Sequence, residues 1–378
     1  MISNPMKLNL ISTASLALLL CASASHAATY HVGVAREDKA LSAVLPRLKA
    51  GDVVEVDPGT YPEVNTIRAN GTRQAPIIIR GVGAQRPVFD AQGINTEGRG
   101  QNPRGVLQIE GSYITIEHLE FKNARNDQNA AGIRLNDSTN AVIRDCKVTY
   151  CDMGIFGSDK ETVLIDGCEI AFNGTEKFNG GSHNFYMHGN RVVVSRCYIH
   201  DSLFGQNYKS RAHYNELWFN WITNSQEGEV GVVDAPGHTD TPNSNTLLVG
   251  NTLISRAERS GNPAKYVLYG SEMGGSHNGT LYLFHNTFIA GNGRVNFITL
   301  DDPHASAVVE GNVFIGSDNI LRLARPAVSV HANQNLLPTS AKSPEGWANT
   351  AIEPLSYVDG DGVSHSVGLS QVLNQGAK

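Results

Sequence analysis

The sequence predicts an all-β fold, a right-handed parallel β-helix with an N-terminal capping helix. A short apolar strand with a fixed residue class near its end recurs eight times, as in Ala141-Val-Ile-Arg-Asp-Cys146 and Leu281-Tyr-Leu-Phe-His-Asn286. The copies are 22 to 35 residues apart, which fits one coil of 22 or 23 residues with loop insertions of variable length. Helical periodicity is scarce, the sequence lacks the signatures of a β-propeller, and a β-sandwich does not explain the repeated position.

The fixed position of the repeat predicts ladders inside the helix. It is occupied by Leu119, Cys146, Cys168, Cys197, Asn220, Asn251, Asn286 and Asn312. Stacked coils bring equivalent residues about 4.8 Å apart, so an inward asparagine can hydrogen-bond to the backbone and to the next asparagine. The cysteines are expected to stack as free, small apolar side chains, and a disulfide between neighbours is the alternative.

The two ends of the chain are expected to lie outside the coils. Residues 1–27 resemble a signal peptide, because Lys7 precedes an apolar run and Ser25-His26-Ala27 offers small residues at the cleavage positions. Residues 28–337 form the predicted β-helix, and residues 338–378 are expected to be an irregular tail. The apolar face of Asp38 to Lys49 predicts the capping helix, which would cover the N-terminal end.

Composition limits the classes of partner. The formal charge is −6, and removal of residues 1–27 takes away Lys7 and no acidic residue, which gives −6 − 1 = −7. An acidic chain is not expected to bind nucleic acid, and no later segment is apolar enough to span a membrane. We expect a secreted or periplasmic protein, in which local basic patches matter more than the net charge.

A second strand series, one strand per coil, carries the candidate chemistry. If Phe185, Met187 and Ser210 point inward, the alternate side chains form an outward patch. A step of 23 residues links His188, Arg211 and Asp234, and a parallel column links Tyr186, Lys209 and Val232. A longer step, with an inserted loop at Ala257 to Ala264, adds Glu272. The predicted patch consists of Tyr186, His188, Lys209, Arg211, Asp234 and Glu272. A solvated, non-functional outer face is the alternative, but His183, His188, His200 and His213 are concentrated in the same stretch.

The chain resembles the right-handed β-helix proteins of the pectate lyase-like superfamily. The resemblance is carried by Asn184-Phe-Tyr-Met-His-Gly189, Cys197-Tyr-Ile-His-Asp201, Gly205-Gln-Asn-Tyr-Lys-Ser-Arg-Ala212, Val233-Asp-Ala-Pro236, Gly250-Asn251 and Tyr269-Gly-Ser-Glu272. The segments Gly51 to Tyr61 and Ala75 to Ile79 are similar to the opening coil of these proteins. The resemblance covers roughly residues 29 to 320. It implies a polysaccharide substrate, and Lys209-Ser-Arg211 resembles the lysine base and nearby arginine of lyases that act on uronic acid polymers.

These roles predict a β-elimination at a uronic acid residue of an acidic polysaccharide. Arg211 would hold the carboxylate, and Lys209 would abstract the adjacent C5 proton. Tyr186, His188 or His213 would protonate the leaving oxygen. Asn184, Tyr208, Asp234 and Glu272 are the predicted substrate-binding residues. Glu229 and Asp234 are the candidate ligands of a Ca²⁺ ion, because calcium prefers carboxylate oxygens.

Two other functions remain open at this point. A glycoside hydrolase would use Asp234 and Glu272 as its pair of carboxyl groups, which must lie either about 5–5.5 Å or about 6.5–9.5 Å apart. A non-catalytic carbohydrate-binding protein would use the same outward patch without cleaving the polymer.

Overall fold

The computed structural model describes residues 27–98, 102–178, 181–255, 265–291, 295–323, 329–338, 341, 355–358 and 362–367. The predicted signal peptide lies outside these residues except for Ala27, and so does the predicted loop at Ala257 to Ala264. None of the described helices is long and apolar enough to cross a membrane.

The described coils form a right-handed parallel β-helix, which confirms the predicted fold class. Each complete coil contributes one strand to each of three faces. Within each face, neighbouring strands pair in parallel. The face that carries the candidate chemistry, called the site face, contains Asn65–Ile67, Gly105–Ile109, Ala131–Ser138, the first halves of Met153–Asp166 and Phe185–Ser195, Tyr208–Ser210, Val230–Val233, Lys265–Gly270, Asn296–Asp301 and Leu321–Leu323.

The other two faces complete the coil. The second face contains Thr29–Val32, Val53–Val56, Ile77–Gly81, Ile114–Glu117, Val142–Arg144, the second halves of Met153–Asp166 and Phe185–Ser195, Tyr214–Trp218, Thr246–Val249, Thr280–Phe284, Ser306–Glu310 and Ser329–Asn333. The third face contains Thr60–Tyr61, Val88–Asp90, Glu120–Lys122, Lys147–Thr149, Glu169–Ala171, Tyr198–His200, Trp221–Thr223, Thr252–Ser255, Thr287–Ala290 and Val313–Ile315.

The repeated residue class lies at the corner between the second and third faces. In each of these coils the residue just before the ladder position has a positive φ, for example 49° at Asp145 and 63° at Gly250. This left-handed residue turns the chain sharply and points the next side chain into the helix. The same requirement explains why Gly-Asn pairs recur at Gly250-Asn251 and Gly311-Asn312.

The ladder at this corner, called the corner ladder, is confirmed. Asn251 accepts the backbone and side-chain N–H groups of Asn220 at 2.9 Å, and it donates to Asn286 at 2.9 Å. The series also extends one coil beyond the prediction, because Asn312 donates to Asn335 at 3.0 Å. Cys146, Cys168 and Cys197 precede the asparagines in the same ladder and are buried free thiols, as predicted. Each amide therefore satisfies backbone groups that the turn would otherwise leave unpaired.

The N-terminal helix is much shorter than predicted. An α-helix covers only Leu41–Val44, and a 3-10 helix follows at Leu45–Arg47. Pro46 lacks a backbone N–H and cannot continue an α-helical ladder, which explains the early end. Leu41 and Val44 are buried in the core cluster of the coils, so the segment still packs on the N-terminal end.

The C-terminal segment is not wholly irregular. Leu355–Val358 and Ser364–Val367 form an antiparallel pair, which differs from the predicted tail. The backbone of Val358 accepts a hydrogen bond from Asn245 at 2.6 Å and donates one to the Tyr282 hydroxyl at 3.3 Å. These contacts attach the pair to the second face of the β-helix.

Candidate active site

Outward side chains of neighbouring strands form a column on the site face. Tyr186 pairs with Lys209, and Lys209 pairs with Gly231. Val232 is therefore not the next member, because the step after Lys209 is 22 residues rather than the predicted 23. A Cβ atom at Gly231 would lie 2.4 Å from the Gln206 side chain, so the glycine leaves room for Gln206 beside Lys209.

Arg211 joins the column just after the strand Tyr208–Ser210 ends. Its Nε donates to the Tyr186 hydroxyl at 2.8 Å. Its other two nitrogens donate to the backbone carbonyl of Asp234 and to the carboxylate of Glu272. Lys209 Nζ donates to the other oxygen of the Glu272 carboxylate at 2.9 Å. The structure thus brings Tyr186, Lys209, Arg211 and Glu272 into one contacting group, called the site cluster.

The two cations of the site cluster, Lys209 and Arg211, are nearly buried. Lys209 is 5% exposed and Arg211 is 6% exposed, whereas the Glu272 side chain is 38% exposed. Lys209 Nζ also lies 5.5 Å from the centre of the Tyr186 ring. The two cations are balanced by two carboxylates, the exposed Glu272 and the buried Asp234, which lies 3.8 Å from Arg211.

Asp234 positions this group without facing the solvent. The residue is fully buried, and its carboxylate accepts backbone N–H groups from Glu272, Met273 and Gly275, the last two at 2.8 and 2.6 Å. Burial opposes ionisation, but these three hydrogen bonds outweigh it and lower the pKa of Asp234. The prediction that Asp234 binds substrate is wrong, since its carboxylate oxygens hold the turn that carries Glu272.

Two other predicted site residues, Asn184 and Glu229, point into the helix. Asn184 donates to Asn207 at 2.8 Å, Asn207 donates to the Glu229 carboxylate at 2.7 Å, and Asn173 donates to Asn184 at 3.0 Å. These four fully buried residues form a second stack, called the inner ladder, at the corner that precedes the site face. The roles predicted for Asn184 in substrate binding and for Glu229 in metal binding are therefore wrong.

Tyr208 is also an interior residue. Its ring stacks on Phe185 with centroids 4.7 Å apart, and its hydroxyl donates to Asn215 at 2.9 Å. Burial raises the pKa of the Tyr208 hydroxyl. Because side chains alternate along a strand, the outward position of Lys209 places its neighbour Tyr208 inside, so the substrate-binding role predicted for Tyr208 is wrong.

The residues present do not fit the predicted calcium site. Glu229 lies in the inner ladder, and the Asp234 carboxylate is surrounded by backbone donors. Calcium needs six to eight oxygen ligands around one open position. Among the residues that the structure describes, no group of three or more His, Cys, Asp or Glu side chains is placed to hold a metal ion.

The histidines of this region have different surroundings. The ring of His188 lies 5.0 Å from that of Tyr186, and burial together with Arg211 lowers the pKa of His188 to about 4. His213 lies 3.2 Å from Thr241 and its ring contacts His238, beside residues 238–241 rather than in the site cluster. His200 belongs to the third face, where its Nδ1 lies 2.7 Å from Asp201. Only His188 of the three contacts Tyr186 through its ring in the described part of the chain.

A cavity of about 560 Å³ opens beside the site cluster and adds His183, which the sequence placed among the concentrated histidines without a role. His183 Nδ1 accepts the backbone N–H of Gln206 at 2.9 Å, so Nε2 carries the proton in the neutral ring. This buried Nε2 has no hydrogen-bond partner among the described residues. Burial lowers the pKa of His183 far below its usual value, so the ring is a neutral donor at pH 7. The lining includes His183, Lys209, Glu272, Phe178, Leu203 and Phe204.

Comparisons with known proteins agree with the fold. A family model described as a right-handed β-helix region matches residues 104–320. An alginate lyase from Paenibacillus sp. str. FPU-7 is similar over 80% of this chain and 99% of its own, at 16% identity and a TM-score of 0.58. A rhamnogalacturonan lyase is similar over 81% of this chain and 87% of its own, at 14% identity and a TM-score of 0.52.

A lacto-N-biosidase from Eubacterium ramulus is similar over 82% of this chain and 68% of its own, at 15% identity and a TM-score of 0.42. No curated protein has a matching sequence. At these identities the likeness to solved structures concerns the fold alone.

Proposed function

The chain belongs to the right-handed β-helix family, and we propose that it is a secreted or periplasmic polysaccharide lyase that cleaves a uronic acid polymer by β-elimination. The observation that carries the proposal is the site cluster: a lysine and an arginine that bind the same carboxylate and both lie against Tyr186, beside an open cavity. The chemistry of this group supports proton abstraction next to a carboxylate, as the following steps explain.

The first step is recognition of the uronate carboxylate. Arg211 has the planar geometry that suits a carboxylate, and its position is fixed by Tyr186 and by the carbonyl of Asp234. In the free protein Glu272 occupies the oxygen positions that a substrate carboxylate needs. We propose that the uronate displaces the exposed Glu272 from Arg211, so that the arginine neutralises the substrate carboxylate and stabilises the enolate-like transition state.

The second step is removal of the C5 proton. Lys209 pairs as a cation with Glu272 in the free protein, so it first releases that proton to solvent when the uronate displaces Glu272. The neutral amine then takes the C5 proton, and the electrons of the C5–H bond form the C4–C5 double bond. Lys209 and Arg211 contact the same carboxylate in the free protein, so both can contact a bound uronate carboxylate, and C5 is the carbon bonded to that carboxylate. This proximity is what a base acting next to a bound carboxylate requires.

The third step is departure of the neighbouring sugar. The C4–O bond breaks, and we assign Tyr186 as the acid that gives its hydroxyl proton to the leaving oxygen. Its oxygen accepts from Arg211, so its own proton is directed elsewhere. His188 is a weaker candidate, because its low pKa keeps the ring neutral at pH 7, and His213 lies beside residues 238–241.

The structure disfavours the hydrolase that the sequence left open. That mechanism needs two accessible carboxyl groups on opposite sides of the bond to be broken. Glu272 is exposed, but Asp234 is fully buried and its carboxylate is held by three backbone N–H groups. Asp234 therefore cannot exchange protons with a bound sugar in this arrangement.

The test is ultraviolet absorbance on polygalacturonate, alginate and glycosaminoglycans, since elimination creates an absorbing double bond. The variant is Lys209→Met, and the control is Lys147→Met, an outward lysine of the third face that pairs with Glu169. We expect absorbance to rise with one polymer class for the wild type and the control, and to stay flat for Lys209→Met. New reducing ends without absorbance would replace the proposal with hydrolysis, and binding without fragments would replace it with a carbohydrate-binding role.

A further inference from the structure

The outward column continues beyond Tyr186 towards the N-terminal coils. Tyr186 pairs with Phe156, and Phe156 pairs with Arg134. The rings of Tyr186 and Phe156 lie 5.6 Å apart, and the Arg134 guanidinium lies 4.6 Å from the centre of the Phe156 ring. Three strand steps of about 4.8 Å separate Arg134 from Lys209, or roughly 14 Å along the helix axis. Cations thus lie at both ends of one continuous surface.

Arg134 lines a second cavity, of about 230 Å³. Three arginines and one carboxylate line it: Arg68, Arg104, Arg134 and Glu110. Their formal charges sum to +3 − 1 = +2, in a chain whose formal charge is −6. A positive cavity on an acidic protein concentrates an anionic ligand at this place.

The carboxylate of this cavity is already engaged, whereas two of the arginines are not neutralised. Glu110 pairs with Arg68 at 2.9 Å. Arg104 donates to the backbone carbonyl of Glu97 at 3.2 and 3.3 Å. Arg134 makes one long contact, 3.5 Å, to the carbonyl of Asn129. No described carboxylate lies within ion-pair distance of Arg104 or Arg134, and burial together with Arg104 lowers the pKa of Arg134 to about 10.

We propose that Arg104 and Arg134 form a second carboxylate-binding subsite, which holds a uronate of the same polymer several sugars away from the site cluster. The polymer would then lie along the helix axis, over the rings of Phe156 and Tyr186. Arg211 must give up Glu272 to bind a carboxylate, whereas Arg134 has no protein carboxylate to give up. The inference rests on the proposed function for the identity of the ligand.

The kinetic test compares Arg134→Gln with Arg144→Gln, an outward arginine of the second face that pairs with Glu117. The substrates are a trisaccharide and an octasaccharide of the polymer that responds in the absorbance panel. We expect Arg134→Gln to raise KM for the octasaccharide by about tenfold, with kcat unchanged and with no effect on the trisaccharide. Equal kinetics of Arg134→Gln and the Arg144→Gln control on the octasaccharide would overturn the subsite.

A binding test keeps this inference separate from the proposed function. In a Lys209→Met background, retention by polygalacturonate and by alginate is measured in affinity gels, with circular dichroism to verify folding. Weaker retention with Arg134→Gln, and intermediate retention with Arg134→Lys, supports the subsite even if the wild type cleaves nothing. Unchanged retention of folded Arg134→Gln refutes the subsite even if the wild type is a lyase.

Discussion

The inner ladder and the site cluster are formed by the same coils, yet their polar groups are used in opposite ways. Inside, Asn184 and Asn207 each pair with a polar neighbour above and below, and Glu229 accepts the last amide. Outside, Lys209 and Arg211 share the exposed carboxylate of Glu272, and the buried Asp234 carboxylate lies 3.8 Å from Arg211. The inward groups satisfy each other and stabilise the stack, whereas the outward groups retain the capacity to bind an anion.

The largest expected effect is on kcat, which should fall when the outward Tyr186 is changed and should not fall when the inward Tyr208 is changed. Tyr186→Phe removes the hydroxyl assigned as the acid, so kcat should fall by about 10² to 10⁴, and the loss of the acceptor for Arg211 should cost about 1 to 3 kcal/mol of stability. Tyr208→Phe removes a buried hydrogen bond to Asn215 and should cost about 1 kcal/mol of stability while kcat stays unchanged. Initial rates and thermal unfolding of both variants measure this, and equal losses of kcat would contradict the assignment.

The corner between faces explains which site residues the sequence could predict. Alternation within a strand correctly gave Phe185 inward and Tyr186 outward. Asn184 shares the parity of Tyr186, but it lies before the strand, where the corner turn places two consecutive side chains inward. Asn207 and Tyr208 are an inward pair for the same reason. Side-chain alternation alone, applied across a corner between two faces, therefore assigns interior residues to the surface.

The corner ladder was predictable because its signal is repeated in every coil. A residue able to adopt a positive φ, followed by Asn or Cys, identifies the turn without any knowledge of tertiary contacts. The ion pairs of Glu272 were harder to predict, since they depend on the turn that follows the strand Lys265–Gly270. Glu272 belongs to a turn that the buried Asp234 fixes, and nothing local in the sequence shows that pairing.

Removing a polar side chain from the inner ladder should destabilise the fold more than removing one from the site cluster. Asn207→Ala removes the buried hydrogen bonds that Asn207 donates to the carbonyl of Thr223 and to the Glu229 carboxylate, so the free energy of unfolding should fall by about 2 to 4 kcal/mol. Lys209→Met should lower it by only about 1 to 2 kcal/mol, because the exposed Glu272 carboxylate keeps its pair with Arg211. Urea unfolding of the two variants measures this difference, and a larger loss for Lys209→Met would reverse the distinction between the two sets of residues.

Interior histidines should make the fold sensitive to acid. Burial lowers the pKa of His277 to about 4, from 6.5 in the unfolded chain, so the unfolded state binds the extra proton as the pH falls. The free energy of unfolding should therefore decrease between pH 6.5 and about 4, by about 2 kcal/mol from pH 7 to pH 5 for this residue. His277→Asn should flatten the pH dependence, whereas the exposed His304→Asn should leave it unchanged. Equal slopes for the two variants would remove His277 from the explanation.

The smallest effect concerns the carboxylate that occupies the site cluster in the free protein. If Glu272 competes with the substrate for Arg211, Glu272→Gln removes a charge from the competitor and should lower KM for the acidic polymer by about threefold. The matched control is Glu117→Gln, which removes an outward carboxylate that pairs with Arg144 on the second face and should leave KM unchanged. A rise in KM for Glu272→Gln would mean that the carboxylate holds Lys209 and Arg211 in place for the substrate rather than competing with it.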